Sequence, residues 1–273
     1  MLILLAAALP ALTSGTVAPA KSVTLAPPRV EYRVNEASPS RSPWIDGNGW
    51  QMLRAPDRSY FYDVGSDANA AALACAEAYA YGAKAVIHAT GAAREAFQRM
   101  LSFLKSLPGT SPAGLANIGV IDDGSQETGE LMNLLARRNL LFRVVKGPDS
   151  RLDLNVRIGS PEYPRAQAAN PDFVARKIRS QLGDDKRLVR IYGSEVVILR
   201  LTDDRDHERL HLLNYADRPV MGLRVRVLGA WPRQRLMAFN APQSQLSDPG
   251  VAAGATEFTI SELSTYAAVD LSR

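Results

Sequence analysis

Hydrophobic and polar positions change their spacing as the chain proceeds, and the change divides it. Residues 59–64 are aromatic and β-branched, which predicts a strand. The alanine-rich stretch after them runs to Tyr81, with Asp67 placed to cap a helix and Gly82 to end it. Residues 84–88 predict the next strand. Residues 92–107 carry Phe97, Met100, Leu101 and Leu104 at helical spacing, and Pro108-Gly109 stops them. Residues 118–121 are apolar throughout, the pattern of a strand covered on both faces. A helix over 128–139, strands over 141–145 and 152–158, a helix over 171–182 and a strand over 188–192 follow. Strands alternating with helices of this length predict right-handed crossovers and an α/β fold, a flavodoxin-like, doubly wound, mainly parallel sheet over residues 59–193.

After Gly193 the helical spacing ceases. Six strands are predicted, over 195–201, 208–215, 222–228, 235–239, 257–260 and 265–271. In Leu223-Arg224-Val225-Arg226-Val227 the alternation puts apolar residues on one face and two arginines toward solvent. Short strands at this spacing predict a small antiparallel β-sandwich over 194–273. No fixed-period repeat and no low-complexity tract interrupts either part.

Ahead of residue 59 the pattern is different. Residues 21–58 hold Pro27, Pro28, Pro39, Pro43 and Pro56 with Ser38, Ser40 and Ser42 between them, which predicts an extended lead-in rather than a packed element. Within it Trp44 and Trp50 flank Asp46-Gly47-Asn48-Gly49, suited to a hairpin that caps the domain or to stacking against a sugar ring. Residues 1–20 have the layout of a secretory signal peptide. An apolar run over 2–12, broken only by Pro10, leads to the cleavage-type sequence Ala18-Pro19-Ala20. The run is shorter than the roughly twenty residues that span a bilayer, so the mature chain is expected to have no membrane anchor and to be secreted or periplasmic.

Composition and charge narrow the function. With 273 residues, 46% hydrophobic and 22% charged, the chain has enough apolar material for two domains. The net charge of +4 is spread over scattered arginines, whose densest groupings are Arg137-Arg138 and Lys186-Arg187. Nucleic-acid binding needs a basic stripe, because each phosphate contact takes its own cation, and there is none. The single cysteine, Cys75, has no partner for a disulfide and sits among alanines like a small core residue.

The main candidate site is the segment after the strand at 118–121. Asp122 and Asp123 follow it, with Ser125 close behind, and ligands of open α/β sheets bind beyond the carboxyl ends of strands. Asp63, at the end of its own strand, is expected on the same rim. Such carboxylates suit general acid and base work, a hard cation or sugar hydroxyls, and equally the capping of the next helix. Asn155, Glu162 and Tyr163, with Asp153, extend the same logic to the next loop. His88, His207 and His211 lack metal-ligand spacing, since His207 and His211 on one strand stand about 13 Å apart. No metal or cofactor is expected. The nucleophile elbow G-x-S-x-G, the phosphate loop, the dinucleotide glycine fingerprint and H-E-x-x-H are all missing.

Three stretches carry a family resemblance: Ile118-Gly119-Val120-Ile121-Asp122-Asp123, the run Arg187 to Gly193, and a closing part with Leu210-His211-Leu212-Leu213-Asn214-Tyr215 and Leu263 to Leu271. From about Tyr60 onward the chain resembles the C-terminal region of large secreted glycoside hydrolases. There a catalytic barrel is followed by a class I glutamine-amidotransferase-like domain and a β-sandwich. The resemblance implies an amidotransferase-like domain over 59–193 that is itself non-catalytic. A barrel of about 250 residues does not fit ahead of it in this sequence. The amidotransferase cysteine has no counterpart at a strand end, so no family catalytic residue is carried over. The expected role is an accessory one, binding a carbohydrate or a protein partner, with self-association open. The competing expectation is a small hydrolase working through Asp122, Asp123 and Asp63.

Overall fold

The computed structural model describes residues 11–34, 41–109, 113–203 and 207–273. Along the chain, β1 (Leu12–Ser14), β2 (Val23–Leu25), the antiparallel pair β3 (Arg29–Val34) and β4 (Arg41–Asp46), and the short helix α1 (Gly49–Arg54) come first. The helical part continues with β5 (Ser59–Gly65), α2 (Ala68–Ala80), β6 (Lys84–Ala89), α3 (Ala92–Ser106), β7 (Ala113–Gly114), β8 (Ile118–Ile121) and α4 (Gln126–Arg137). Then come β9 (Phe142–Val145), β10 (Leu154–Val156), α5 (Arg165–Ala168) and α6 (Pro171–Leu182). The remainder is strand: β11 (Val189–Tyr192), β12 (Val197–Asp203), β13 (Glu208–Asn214), β14 (Val220–Leu228), β15 (Arg233–Ala238), β16 (Leu246–Ala252), β17 (Ala255–Leu263) and β18 (Tyr266–Ser272).

The chain is mixed α/β with parallel and antiparallel sheets, and the expected single doubly wound sheet is replaced by two. One parallel sheet has the order β1-β6-β5-β2 and the other β10-β8-β9. Alternation of strand and helix dictates parallel pairing but not which strands are neighbours. Here the winding breaks after α3, where β7 leaves to pair antiparallel with β12, through Thr202 opposite Gly114. Each parallel sheet has its own core. The first gathers Tyr60, Tyr62 and Ile87 with α2 and α3, and the second gathers Ile118, Val120, Phe142 and Val156 with α4 and α6.

Three boundaries also move. The segment 21–58 is packed rather than an extended lead-in: β2 lies parallel to β5, and Leu25, Ile45 and Met52 are buried. Pro43 fits because a two-stranded pair leaves outward edges that need no donor. Its Pro39, Ser38 and Ser40 lie outside the described residues. The strand expected to close the α/β domain, β11, instead joins β14, with Val189 opposite Val227. The segment assigned to a signal peptide contributes β1, parallel to β6, with Leu12 opposite Ala85 and buried. Its residues 1–10 lie outside the described residues.

The antiparallel part consists of two sheets, β11-β14-β17-β16 and β15-β18-β13-β12-β7. Alternate residues of the second face opposite ways. Leu199, Leu212 and Val269 meet Val225 and Phe258 of the first sheet, while Ile198, Leu213 and Tyr266 meet the core of α2 and α3. This sheet is therefore covered on both faces, which explains why β12 and β13 read as apolar runs. β16 escaped the sequence pattern because Pro249 and Gly250 spoil it and every residue but Leu246 is exposed at the edge, with a bulge between Ser247 and Gly250. Of the two arginines expected in solvent, only Arg224 is at the surface, paired with Glu257. Arg226 is buried, its guanidinium directed at the carbonyl of Arg187.

The layers meet at Glu77, a fully buried carboxylate on α2. It accepts hydrogen bonds from the Asn48 amide at 2.7 Å, the Asn48 side chain at 3.2 Å, the Tyr62 hydroxyl at 2.7 Å and the Tyr215 hydroxyl at 2.5 Å. Burial pushes its pKa up, and these donors pull against that without cancelling it. Two glycines make the approach feasible. A Cβ at Gly47 would lie 3.1 Å from the Tyr215 hydroxyl, and one at Gly49 2.1 Å from the Tyr81 ring. Asp46 to Gly49 is thus a strand-to-helix joint, not the turn of a hairpin between the tryptophans.

A second buried pair pins the sandwich to α3. Arg209, 1% exposed, grips Asp270 through Nε at 2.6 Å and Nη2 at 2.9 Å, and Nη2 also reaches the Pro108 carbonyl at 2.6 Å. Beside it His211 is wedged between Tyr266 and Thr202, at 2.8 and 3.1 Å. Burial first, then the charges of Arg209 and Arg200, push its pKa down to about 3.

Glu77→Ala is expected to cost about 3–5 kcal/mol in urea unfolding, because it strands buried donors, and Glu77→Gln less, since the amide keeps one acceptor. A chain starting at residue 21 loses β1 and is expected to be less stable than the full chain by about 2 kcal/mol, the burial of one leucine. Because His211 is held neutral, its contribution is present above the unfolded histidine pKa of about 6.5 and is lost as pH falls from there toward 3. Urea unfolding across that window should show this slope in the wild type and lose it in His211→Leu.

Candidate functional site

The carboxyl ends of β8, β9 and β10 open on a cleft of about 620 Å³. Asp122 and Asp123 stand after β8, Lys146 after β9, Asn155 within β10, and Arg157 and Glu162 beyond it. This is where a parallel sheet places ligands, since loops leaving the strand ends surround a concave space. Within β8, Gly119 leaves room for Leu152, since a Cβ there would lie 2.7 Å from it.

Each of the two acids is paired with an arginine. Asp122 takes a two-pronged pair from Arg54 of α1, 2.8 Å at each oxygen, and accepts the Gly124 amide at 3.0 Å. Arg54 also donates to the Ser125 carbonyl at 2.9 Å. Asp123 accepts from the Ser125 amide at 3.0 Å, the Ser125 hydroxyl at 2.6 Å, the Thr128 hydroxyl at 2.8 Å, and Arg165. Burial works upward on the Asp123 pKa, but these donors outweigh it and hold the carboxyl well below its usual range. Ser125 caps α4 by accepting the Thr128 amide. The capping role foreseen for this segment is therefore the one its geometry shows.

The remaining candidates are dispersed. Asp63 does not share the rim: β5 belongs to the other parallel sheet, and its carboxylate meets His88 Nδ1 at 2.9 Å. Asn155 braces a loop, accepting the Asp149 amide and donating to the Asp149 carbonyl, both at 2.9 Å. Glu162 reaches the cleft, with one oxygen bonded to Gln181 at 2.7 Å. Tyr163 is buried and donates to Gln181 at 2.6 Å, so it presents no ring to a ligand there. Trp44 and Trp50 pack against the core of the second parallel sheet, Trp44 under the guanidinium of Arg137 at 3.6 Å. Among the described residues no group of three or more histidines, cysteines or acids is placed to hold a metal ion, and no helix is long and apolar enough to cross a membrane.

Lys146 and Arg157 were not singled out by sequence. Lys146 follows β9 as Asp122 follows β8, so the strand-end rule points to it once acids are not the only groups sought. Arg54 has no such signal, because it comes from 68 residues away in sequence. Chemically, the cleft presents two arginine-paired carboxylates, and Glu162, beside Lys146, Arg157 and the Ser160 hydroxyl. Asp123, held below the usual carboxylate range, cannot act as a proton donor near neutral pH and is a weak base. The set suits hydrogen bonding to a polar ligand.

No protein-family model matches the chain, and no curated protein sequence is found to be its relative. Solved structures do share its architecture. The α-L-fucosidase isoenzyme 2 from Paenibacillus thiaminolyticus superposes with a TM-score of 0.60 at 10% identity, over 80% of this chain and 61% of that one. A rhamnosidase from Novosphingobium sp. PP1Y superposes with a TM-score of 0.53 at 10% identity, over 92% of this chain and 34% of that one. The chain thus spans less than two thirds of either protein. At this identity the likeness is one of fold: the chain has the layered α/β and antiparallel arrangement of a part of these glycoside hydrolases.

Proposed function

We propose that this chain is a non-catalytic component related to glycoside hydrolase accessory regions, and that the strand-end cleft binds a carbohydrate. The observation that carries this is the state of the two acids. A hydrolase needs one carboxyl that shuttles a proton and one that attacks or activates water. Arg54 clasps Asp122 at both oxygens, and Ser125, Thr128 and Arg165 hold the Asp123 carboxyl below its usual range, so neither acid is placed to pass a proton to a ligand. Lys146, Arg157 and Ser160 supply donors for sugar hydroxyls, and Glu162 an acceptor. The fold shared with a fucosidase and a rhamnosidase supports the carbohydrate context.

The test is paired binding and turnover on the full chain. Aryl α-L-fucoside and α-L-rhamnoside should be left intact, while a glycan array should yield binders. Lys146→Ala is expected to weaken binding of those glycans about five-fold, roughly one charge-assisted hydrogen bond, with the melting temperature unchanged. Turnover that disappears in the Asp122→Asn, Asp123→Asn double variant would establish the hydrolase instead.

A further inference from the structure

A larger cleft, about 930 Å³, lies between α4, α6 and β11, on the opposite side of α4's helix from its capped start. Five arginines far apart in sequence converge on it: Arg137 and Arg138 at the end of α4, Arg179 on α6, Arg187, and Arg190 on β11. Three of them share one carboxylate. Asp184 alone serves Arg179 at 3.1 Å and Arg187 and Arg190 at 3.4 Å each. Asp172 serves both Arg138 and Arg176. Three guanidinium groups bring roughly fifteen N–H donors, and one carboxylate accepts about four, so most of the donors around Asp184 face something else. Arg187, only 9% exposed, spends Nη1 on Asp184 and Nη2 on the Arg138 carbonyl at 2.9 Å, so the donors left for a ligand are those of the more exposed Arg179 and Arg190.

The rest of the wall narrows the ligand. Tyr192, 38% exposed, stands at the rim with Arg190 over its ring at 5.1 Å, an aromatic face of the sort on which a pyranose ring packs. Glu130 and Glu195 also line the cleft and have no ion pair among the described residues. Two acids beside the arginines disfavour a polyphosphate, which they would repel along its length, and suit a molecule that alternates anionic groups with hydroxyls. We infer that this cleft is a second binding site, for an anionic oligosaccharide whose carboxylate or sulfate groups meet the arginines around Asp184. The inference rests on the carbohydrate reading above but concerns a different cleft.

Calorimetric titration of the full chain with tetragalacturonate, a sulfated chondroitin tetrasaccharide and neutral cellotetraose tests it. At least one anionic probe should bind ten-fold or more tighter than cellotetraose, and the two anionic probes report which group is preferred. Arg190→Ala and the surface change Tyr192→Ala should each weaken that binding at least five-fold with the melting temperature unchanged, and Lys146→Ala should leave it alone. Should Arg190→Ala prove unstable, Tyr192→Ala decides alone. No binding of either anionic probe overturns the inference, as does binding insensitive to Tyr192→Ala. If Lys146→Ala abolishes anionic binding instead, this cleft is refuted while the strand-end reading stands; if neither anionic probe binds and the glycan array is silent too, both fall.

Discussion

A single buried carboxylate sets the terms for how this chain assembles. Glu77 sits where α2, the joint before α1, β5 and the antiparallel part come within hydrogen-bond reach of one another. An ionised or even neutral carboxyl in that position is tolerable only when its oxygens are filled, and they are filled from three separate stretches of chain. None of those stretches can shift without stranding the others. The apolar surfaces around it could slide; the hydrogen bonds cannot. This gives the cores a unique registration that hydrophobic burial alone does not specify.

The same logic recurs where Arg209 holds Asp270 and the carbonyl of Pro108. There a sandwich residue fixes the end of a helix from the parallel part. With β7 crossing over to β12 and β11 to β14, the two parts of the chain are interleaved rather than strung like beads. A five-stranded sheet buried on both faces is the natural result, because each of its faces finishes a different core.

Local chemistry made much of this legible in sequence. The helices α2, α3, α4 and α6 and most strands follow from spacing, capping and turn residues, which act within a few positions. What stayed hidden is long-range. Nothing near residues 118–121 says that β8 would pair with β9 and β10 but not with β5, and nothing in a proline-bearing lead-in says that Met52 would be buried. The site was half readable for the same reason. Asp122 and Asp123 were found because strand ends are local features. Their neutralisation by Arg54 and Arg165 was invisible, as was the gathering of scattered arginines around Asp184, which sequence reads as dispersed surface charge.

The short helix α1 connects two features otherwise described apart. Asn48, at its start, is bound to Glu77, and Arg54, its last residue, clasps Asp122 at the cleft. Six residues of helix make a strut about 9 Å long. The cleft rim and the buried cluster around Glu77, to which Tyr215 also binds, are therefore fastened to opposite ends of one short helix.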